Sequence, residues 1–384
     1  MTRKNKLLTM KVMVNVCRLL LSATFIFSGF VKANDPFGTV YKLEDYLASV
    51  GIHDMPEIFV LGSAVLLAIF EFMLGVSMLF CIGKKKTVRL TALFMGVMTL
   101  LTVYIAIANP VSDCGCFGDA IVLSNGATLA KNIVLMAAAL IVLKWHKLMY
   151  DKVKESIKGL VSLVSLISIV AYIIYCIVCL PVIDFRPYKV GTDMREAIEN
   201  ANSKQMFDVK IIYEKDGKTL ELSVEDDDPD STWTYVETRR TELDTEGLAI
   251  ADFFVSDQND EDVTDDILYA DGFSILVCIP DLMKADEGCI DKINSSYDIA
   301  CDQGWGFYCL TSSASEEAQL YWSEHTGAEY EFYLSDNRLI KTIVRGNPGM
   351  VLMQDGKIVK KWSNYNMPDE EELMNIVKLY STQE

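Results

Sequence analysis

Histidine is almost missing from this chain: His53, His146 and His325 are all that its 384 residues contain. Hydrolytic triads and histidine-rich metal centres, which need an imidazole at a fixed place, are improbable on that count. Positive charge is scarce in the second half, where residues 182–384 carry 18 Lys/Arg against 43 Asp/Glu. Nucleic acid needs a basic surface, so it is not expected as a partner. No broken-helix or repeat pattern occurs, which leaves a small-molecule transporter with little support. What is abundant is apolar sequence, 51% of the chain, and it is unevenly placed. Residues 1–181 hold 17 Lys/Arg against 10 Asp/Glu, so the net charge of −18 divides into +7 and −25. An apolar, basic front half is joined to an acidic, water-soluble back half.

The front half contains five apolar runs, near 12–31, 58–82, 88–109, 126–144 and 159–181. Each is long enough to cross a hydrocarbon core, which takes about 20 residues. The first follows Arg3, Lys4 and Lys6 as a signal peptide would, but it is long and has no clear small-x-small cleavage site, so it is read as a span. Lys/Arg placement then sets the orientation. Arg3, Lys4, Lys6 and Lys11, the loop "GKKKTVR" and the loop 144–158 put 13 positives on one side, against Lys32, Lys42 and Lys131 on the other. The expected arrangement is an N-terminus in the cytoplasm and an acidic C-terminal half outside it, as in a bacterial inner membrane with a periplasmic domain.

The loop between the third and fourth runs reads "SDCGCFGDA", with Cys114 and Cys116 one glycine apart. In an oxidising compartment such thiols can pair. A disulfide across two residues closes a tight ring and should be easily reduced, which suits a bond made and broken repeatedly. A permanent loop staple and half of a thiolate metal site are the alternatives, although structural zinc sites more usually show C-x2-C pairs. Asp113 and Asp119 flank the pair, and negative charge there would slow a thiol's attack. A second pair, Cys176 and Cys179 in "CIVC", ends the fifth run. Three residues apart, they share a helix face at the expected depth of the loop, so the two dithiols are placed to exchange a disulfide. Packing is the competing reading, since cysteine behaves as a small hydrophobe. Cys17 and Cys81 are read as packing residues.

Two ionisable residues lie inside the apolar runs: Arg18 in the first and Glu71 in the second. Such groups are costly in a membrane and are usually paired or functional. Counted from the cytoplasmic ends their depths differ by roughly 7 Å at 1.5 Å per residue, so a structural Arg18–Glu71 pair is expected, with proton handling or a quinone-facing role as the sharper alternative.

"FIFSGFVKANDPFGTVYKLEDYLASVGI", "EFMLGVSMLF" and "DCGCFGDAIVLSNGATLAKNIVL" resemble the DoxX/MauE group of bacterial redox-associated membrane proteins over about residues 12–145. The resemblance implies a compact four-helix membrane bundle and, from MauE-like members, an association with disulfide formation in a periplasmic partner. The plan of a cysteine loop beside a C-x-x-C at a span end is also similar, more distantly, to vitamin K epoxide reductase-like thiol oxidases, which implies a quinone as the possible cofactor. None is evident from the residues themselves.

Residues 182–249 carry alternating apolar and polar runs around "KDGK", the pattern of a β-rich connecting segment. The acidic run from Glu225 to Asp230 reads as a solvated loop, since calcium-ligand spacing and a closing Glu are missing. From about residue 250 strands and helices alternate: a strand at "FSILVCIPDL", a helix over 284–303, a strand at "GFYCLTSS", a helix over 314–326, a strand at "YEFYLSD", two strands joined at "QDGK", and a last helix from Pro368 to Tyr380. This order resembles a thioredoxin-like α/β domain, with Pro348 at that fold's cis-proline position. It departs from a working thioredoxin after the first central strand, where "PDLMKADEGCIDK" supplies Cys289 alone. Partner binding is therefore expected of this domain more than thiol exchange; connectivity of Cys278, Cys289, Cys301 and Cys309 is not fixed by spacing.

The expected organisation is a four-span DoxX/MauE-like membrane domain (1–158), a fifth transmembrane helix (159–181), the β-rich segment (182–249) and the thioredoxin-like domain (250–384). The expected function is a membrane thiol–disulfide oxidoreductase or relay acting on extracytoplasmic proteins through Cys114, Cys116, Cys176 and Cys179, with no metal. The alternative is a non-enzymatic scaffold or assembly factor that presents a degenerate thioredoxin-like binding domain.

Overall fold

The computed structural model describes residues 3–52, 55–109, 111, 114–204, 208–215, 218–223, 233–241 and 253–381. Asp113, His53 and the acidic run 225–230, on which expectations were placed, lie outside the described residues. The chain divides into two compact units, Met1–Phe185 and Arg186–Glu384.

The first unit is helical: α1 (Arg3–Asn34), α2 (Pro36–Ser49), α3 (Glu57–Leu79), α4 (Lys84–Ala108), α5 (Asn125–Trp145) and α6 (Glu155–Cys179). All but α2 are long and apolar enough to cross a membrane. Their outward faces are apolar too: Leu66, Leu93, Leu100 and Ile107 are each at least 66% exposed. Exposed apolar faces on helices of this length fit a lipid surround, in which they carry no cost. Helix α1 packs against α3, α5 and α6, and α4 packs on α5. One core, with Leu21, Phe25, Leu74, Met78, Met95, Leu135 and Val142, fills the bundle; a smaller one, with Ala33, Ala68, Ile169 and Ile173, fixes α6 to α1 and α3.

Glycine sets the register of α1 on α3. A Cβ at Gly75 would lie 2.6 Å from Ile26 N and 2.9 Å from Ser22 O, and one at Gly29 would run into the backbone of Phe72 and Ala68. Only glycine lets the two backbones approach this closely, the small-residue packing on which membrane helices rely. The register places Arg18 opposite Cys81, and Ser28 opposite Glu71.

Helix α2 is an addition to the expected fold. Its start is encoded locally: Asp35 Oδ1 accepts from Gly38 N at 2.9 Å and Pro36 occupies the first helical turn. Val40 packs on Val60 and Ala64 of α3, so α2 lies against the end of the bundle.

In the second unit, α7 (Met194–Lys204) precedes an antiparallel sheet in the order β2-β1-β3, from β1 (Asp208–Lys215), β2 (Lys218–Ser223) and β3 (Thr234–Thr241). A second sheet contains β4 (Phe273–Ile279), β5 (Gly306–Thr311), β6 (Phe332–Leu334), β7 (Gly349–Gln354) and β8 (Lys357–Ser363), in the order β6-β5-β4-β7-β8. The β4/β5 and β5/β6 pairs are parallel; β4/β7 and β7/β8 are antiparallel. With a helix after β4 and a C-terminal hairpin, this is the thioredoxin-like order. The Asn347–Pro348 peptide is cis.

Three local differences from expectation have clear causes. The helix after β4 spans Ile290–Gln303 rather than 284–303, because Asp281 and Asp286 cap two short 3-10 turns in front of it. Asn337–Ile343 adds a helix capped by Asp336. Residues 191–194 bond to β8 through Gly191 N to Ile358 O and Met194 N to Gly356 O, covering an edge strand that would otherwise present unpaired backbone groups.

If glycine sets the α1–α3 register, Gly75→Val should lower the melting temperature of the detergent-solubilised chain, with overpacking costing about 1–3 kcal/mol. Gly62→Val, where an added Cβ meets nothing within 4 Å, should leave it unchanged. Elution of the heated variants on size-exclusion chromatography measures both.

Candidate functional site

The cysteine loop links α4 to α5 and folds onto the end of the bundle where α1 finishes. Gly115 and Gly118 have φ of +62° and +51°, backbone conformations open to glycine. A Cβ at Gly115 would also meet Lys42 Cγ at 3.0 Å. Three helices hold the loop. From α2, Tyr46 Oη donates to the Cys114 carbonyl at 2.9 Å. From α1, Ser28 Oγ and Lys32 Nζ lie 2.7 and 2.8 Å from the Cys116 carbonyl. From α5, Lys131 Nζ sits 4.1 Å above the Phe117 ring, whose other contact is the edge of Phe27 at 5.4 Å.

Beneath the loop lies a buried ion pair. Lys32 Nζ is 2.8 Å from Glu71 Oε2, with 6% and 3% of the two side chains exposed. Ser28 Oγ is 2.7 Å from the same carboxylate oxygen and 2.8 Å from Lys32 Nζ. Ser28 and Lys32 stand one turn apart on α1, so both reach Glu71 and the loop together.

The Cys114 and Cys116 sulfurs lie 2.8 Å apart. Cys114 is buried and Cys116 half-buried. Either sulfur can donate in this contact; with Cys114 as donor the Cys116 thiol comes down to about 7, burial opposing the shift and the charges of Lys131 and Lys32 assisting it. Cys114 moves the other way, above the ordinary thiol range, because it supplies the hydrogen bond and is itself buried. The pair is thus divided into a thiolate-prone sulfur and a protonated neighbour in contact with it, in the electropositive setting that favours thiolate chemistry.

The predicted Arg18–Glu71 pair does not form. Arg18 Nη1 instead donates to Cys81 Sγ at 2.9 Å and to the Tyr150 carbonyl at 2.6 Å. The register fixed by Gly29 and Gly75 is the reason: ten residues of α1, about 15 Å, separate Arg18 from Ser28, which faces Glu71. Ser28, Lys32, Lys131 and Tyr46 are the site residues that sequence reasoning missed. Lys32 and Lys131 had been used only to orient the spans; the signal that was there is a lysine four residues after a serine at the end of an apolar helix.

Cys176 and Cys179 end α6, the first buried and the second half-buried. The chain after them turns back onto α1, where Asn34 Nδ2 donates to the Ile183 carbonyl at 2.7 Å and Tyr172 Oη donates to Asn34 Oδ1 at 2.8 Å. The last two turns of α1 thus meet the cysteine loop at Ser28 and Lys32, and the chain around the α6 end at Asn34, through Tyr172 and Ile183.

In the second unit Cys289 precedes the helix Ile290–Gln303 and is buried in the domain core. Burial, with the nearby Asp286 charge adding to it, pushes its thiol up to about 11. The stretch before Cys289 is tied to the residue before Pro348: Asp286 N donates to the Asn347 carbonyl at 2.9 Å. Cys278 and Cys309 are fully buried, Cys301 is exposed, and all four cysteines of this unit are unpaired. Among the described residues no group of three or more His, Cys, Asp or Glu side chains is placed to hold a metal ion.

Residues 10–144 match the family model of methylamine utilisation protein MauE. The MauE-like region thus takes in α1–α5, the buried ion pair and the cysteine loop, and stops before α6. Residues 207–243 match a second model, a domain of unknown function (DUF8463). No curated protein matches the chain. A solution structure of a candidate protein disulfide isomerase from Bacteroides thetaiotaomicron is 18% identical, over 34% of this chain and 84% of that one, with a TM-score of 0.27. At that score the likeness adds nothing to the thioredoxin-like assignment, which rests on the strand order.

Alkylation of the solubilised chain separates the thiols. Cys116 should react with a midpoint near pH 7, rising toward about 8.5, the ordinary thiol value, in Cys114→Ala, which loses the hydrogen bond that contributes most. Cys289 should stay unreactive through neutral pH in the folded chain and react only on unfolding. Mass-tag quantification of the two peptides against pH reads both.

Proposed function

We propose that the chain is a membrane thiol–disulfide oxidoreductase whose working dithiol is Cys114/Cys116. The observation that carries this reading is the thiolate-prone Cys116 in contact with a second thiol, on a loop anchored from three helices. In exchange, the Cys116 thiolate attacks a partner disulfide; that bond breaks and releases one partner thiolate, which takes a proton. Cys114 then gives up its proton and attacks Cys116 Sγ, releasing the second partner thiolate. Two electrons pass to the partner and the pair becomes a disulfide; the reverse sequence returns them. Relative potentials set the direction.

The Lys/Arg asymmetry supports an extracytoplasmic position for the loop and for the acidic C-terminal unit, hence protein partners in the periplasm of a bacterial inner membrane. Cys176/Cys179, beside the same end of α1, supports a second dithiol that restores the first. A quinone is the class of two-electron acceptor that would complete the cycle inside the membrane; Phe27 and Phe117, beside Cys116, are the apolar rings it would meet. The thioredoxin-like domain serves in this reading to bind partners, because its lone Cys289 is buried and held protonated. The same observation favours the second reading, in which the whole chain is a scaffold and the cysteines are inert.

Acid quenching of cells followed by mass-tag alkylation, before and after a brief reductant pulse, distinguishes the two. An oxidoreductase predicts a Cys114/Cys116 population that recovers its starting ratio within minutes. It also predicts loss of partner disulfide turnover in Cys114→Ser/Cys116→Ser at unchanged abundance. A redox state that never changes, with no phenotype beyond abundance, selects the scaffold.

A further inference from the structure

The Ser28–Lys32–Glu71 cluster takes no part in the exchange of sulfurs, yet it is bonded to the loop that performs it. The three N–H bonds of the Lys32 ammonium each have an acceptor: Ser28 Oγ, Glu71 Oε2 and the Cys116 carbonyl, all at 2.8 Å. That count satisfies all three donors of the ammonium. Ser28 has one hydroxyl proton and two acceptors at 2.7 Å, Glu71 Oε2 and the Cys116 carbonyl, and serves one at a time. The carboxylate and the loop carbonyl are therefore joined through the same two side chains.

We propose that Lys32 and Glu71 are positioning residues for Cys116 that act in opposite senses: the ammonium ties down its carbonyl and places a desolvated positive charge beneath it, and the carboxylate offsets that charge. The inference rests on Cys116 being the working thiolate. Every element packed on the loop supplies a group to consider: Lys32 from α1, Lys42 and Tyr46 from α2, Glu71 from α3, Lys131 from α5, and Cys114 and Asp119 in the loop itself. Of these, Lys131 and Lys32 favour the Cys116 thiolate and Glu71 disfavours it, while Tyr46 bonds to the neighbouring Cys114 carbonyl. Both charges reach Cys116 from beneath its carbonyl, Lys32 directly and Glu71 through Lys32 and Ser28.

The opposed signs give a test that a merely structural cluster fails. The rate of Cys116 alkylation is followed against pH in the full-length solubilised chain, with the Cys116 peptide quantified by mass tag. Lys32→Met should move the midpoint up by about one pH unit, making alkylation at pH 7 roughly tenfold slower. Glu71→Gln, nearly isosteric, should move it down, and Lys32→Arg, which keeps the charge and the donors, should stay near the wild type. Where Lys32→Met does not accumulate, Glu71→Gln and Lys32→Arg decide alone. Midpoints that stay put, or that move the same way in Lys32→Met and Glu71→Gln, overturn the inference. A wild-type midpoint near 8.5 overturns the thiolate reading of Cys116 instead, so the two failures are distinguishable.

Discussion

The Lys32–Glu71 pair is the contact on which the first unit turns. Burying either charge without the other would be costly, whereas side by side each offsets much of the other's desolvation. Together, and with Ser28, they convert α1 and α3 from two apolar rods into a defined pair with one register. The Cys116 carbonyl completes the set, so the ion pair that locks the helices also seats the loop. Helix packing and thiol geometry are in this sense one interaction.

That arrangement depends on close backbone approach. Gly29 and Gly75 let α1 and α3 come together until the Lys32 ammonium reaches Glu71 without stretching. Helix α2 then closes the end of the bundle, where Lys42 passes beneath Gly115 and Tyr46 holds the Cys114 carbonyl. A thiol loop on a flexible linker would sample many geometries. Tied to three helices, this one keeps two sulfurs in contact, and the environment pushes the titrations of the two thiols in opposite directions.

The second unit shows the converse arrangement. It has the strand order and the cis-proline position of a thioredoxin-like domain, and the start of a helix after β4, where a thiolate would normally gain from the helix dipole. Cys289 occupies that place, but it is packed into the core next to Asp286, and desolvation outweighs the dipole. Burial that keeps this thiol protonated sets it apart from Cys116, which sits half-buried in the loop. Within the proposed function, chemistry belongs to the membrane unit and recognition to the soluble one.

The five apolar helices, the cysteine loop between the third and fourth, and the alternating strands and helices of the second unit were legible in the amino-acid sequence, because hydrophobic period and turn residues are local signals. That Cys114 and Cys116 share one short loop was legible for the same reason. The partner of Glu71 was not: counting depth along each helix favoured Arg18, whereas the choice was made by where two glycines let the backbones touch. Nor were the charges that meet at Cys116, since Asp119 is its neighbour in the chain while Lys32 arrives from α1 and Lys131 from α5. Sequence determined which groups are present and on which elements; only tertiary structure decided which charges meet, because electrostatics acts across space and the register of packed helices is set by their contact faces.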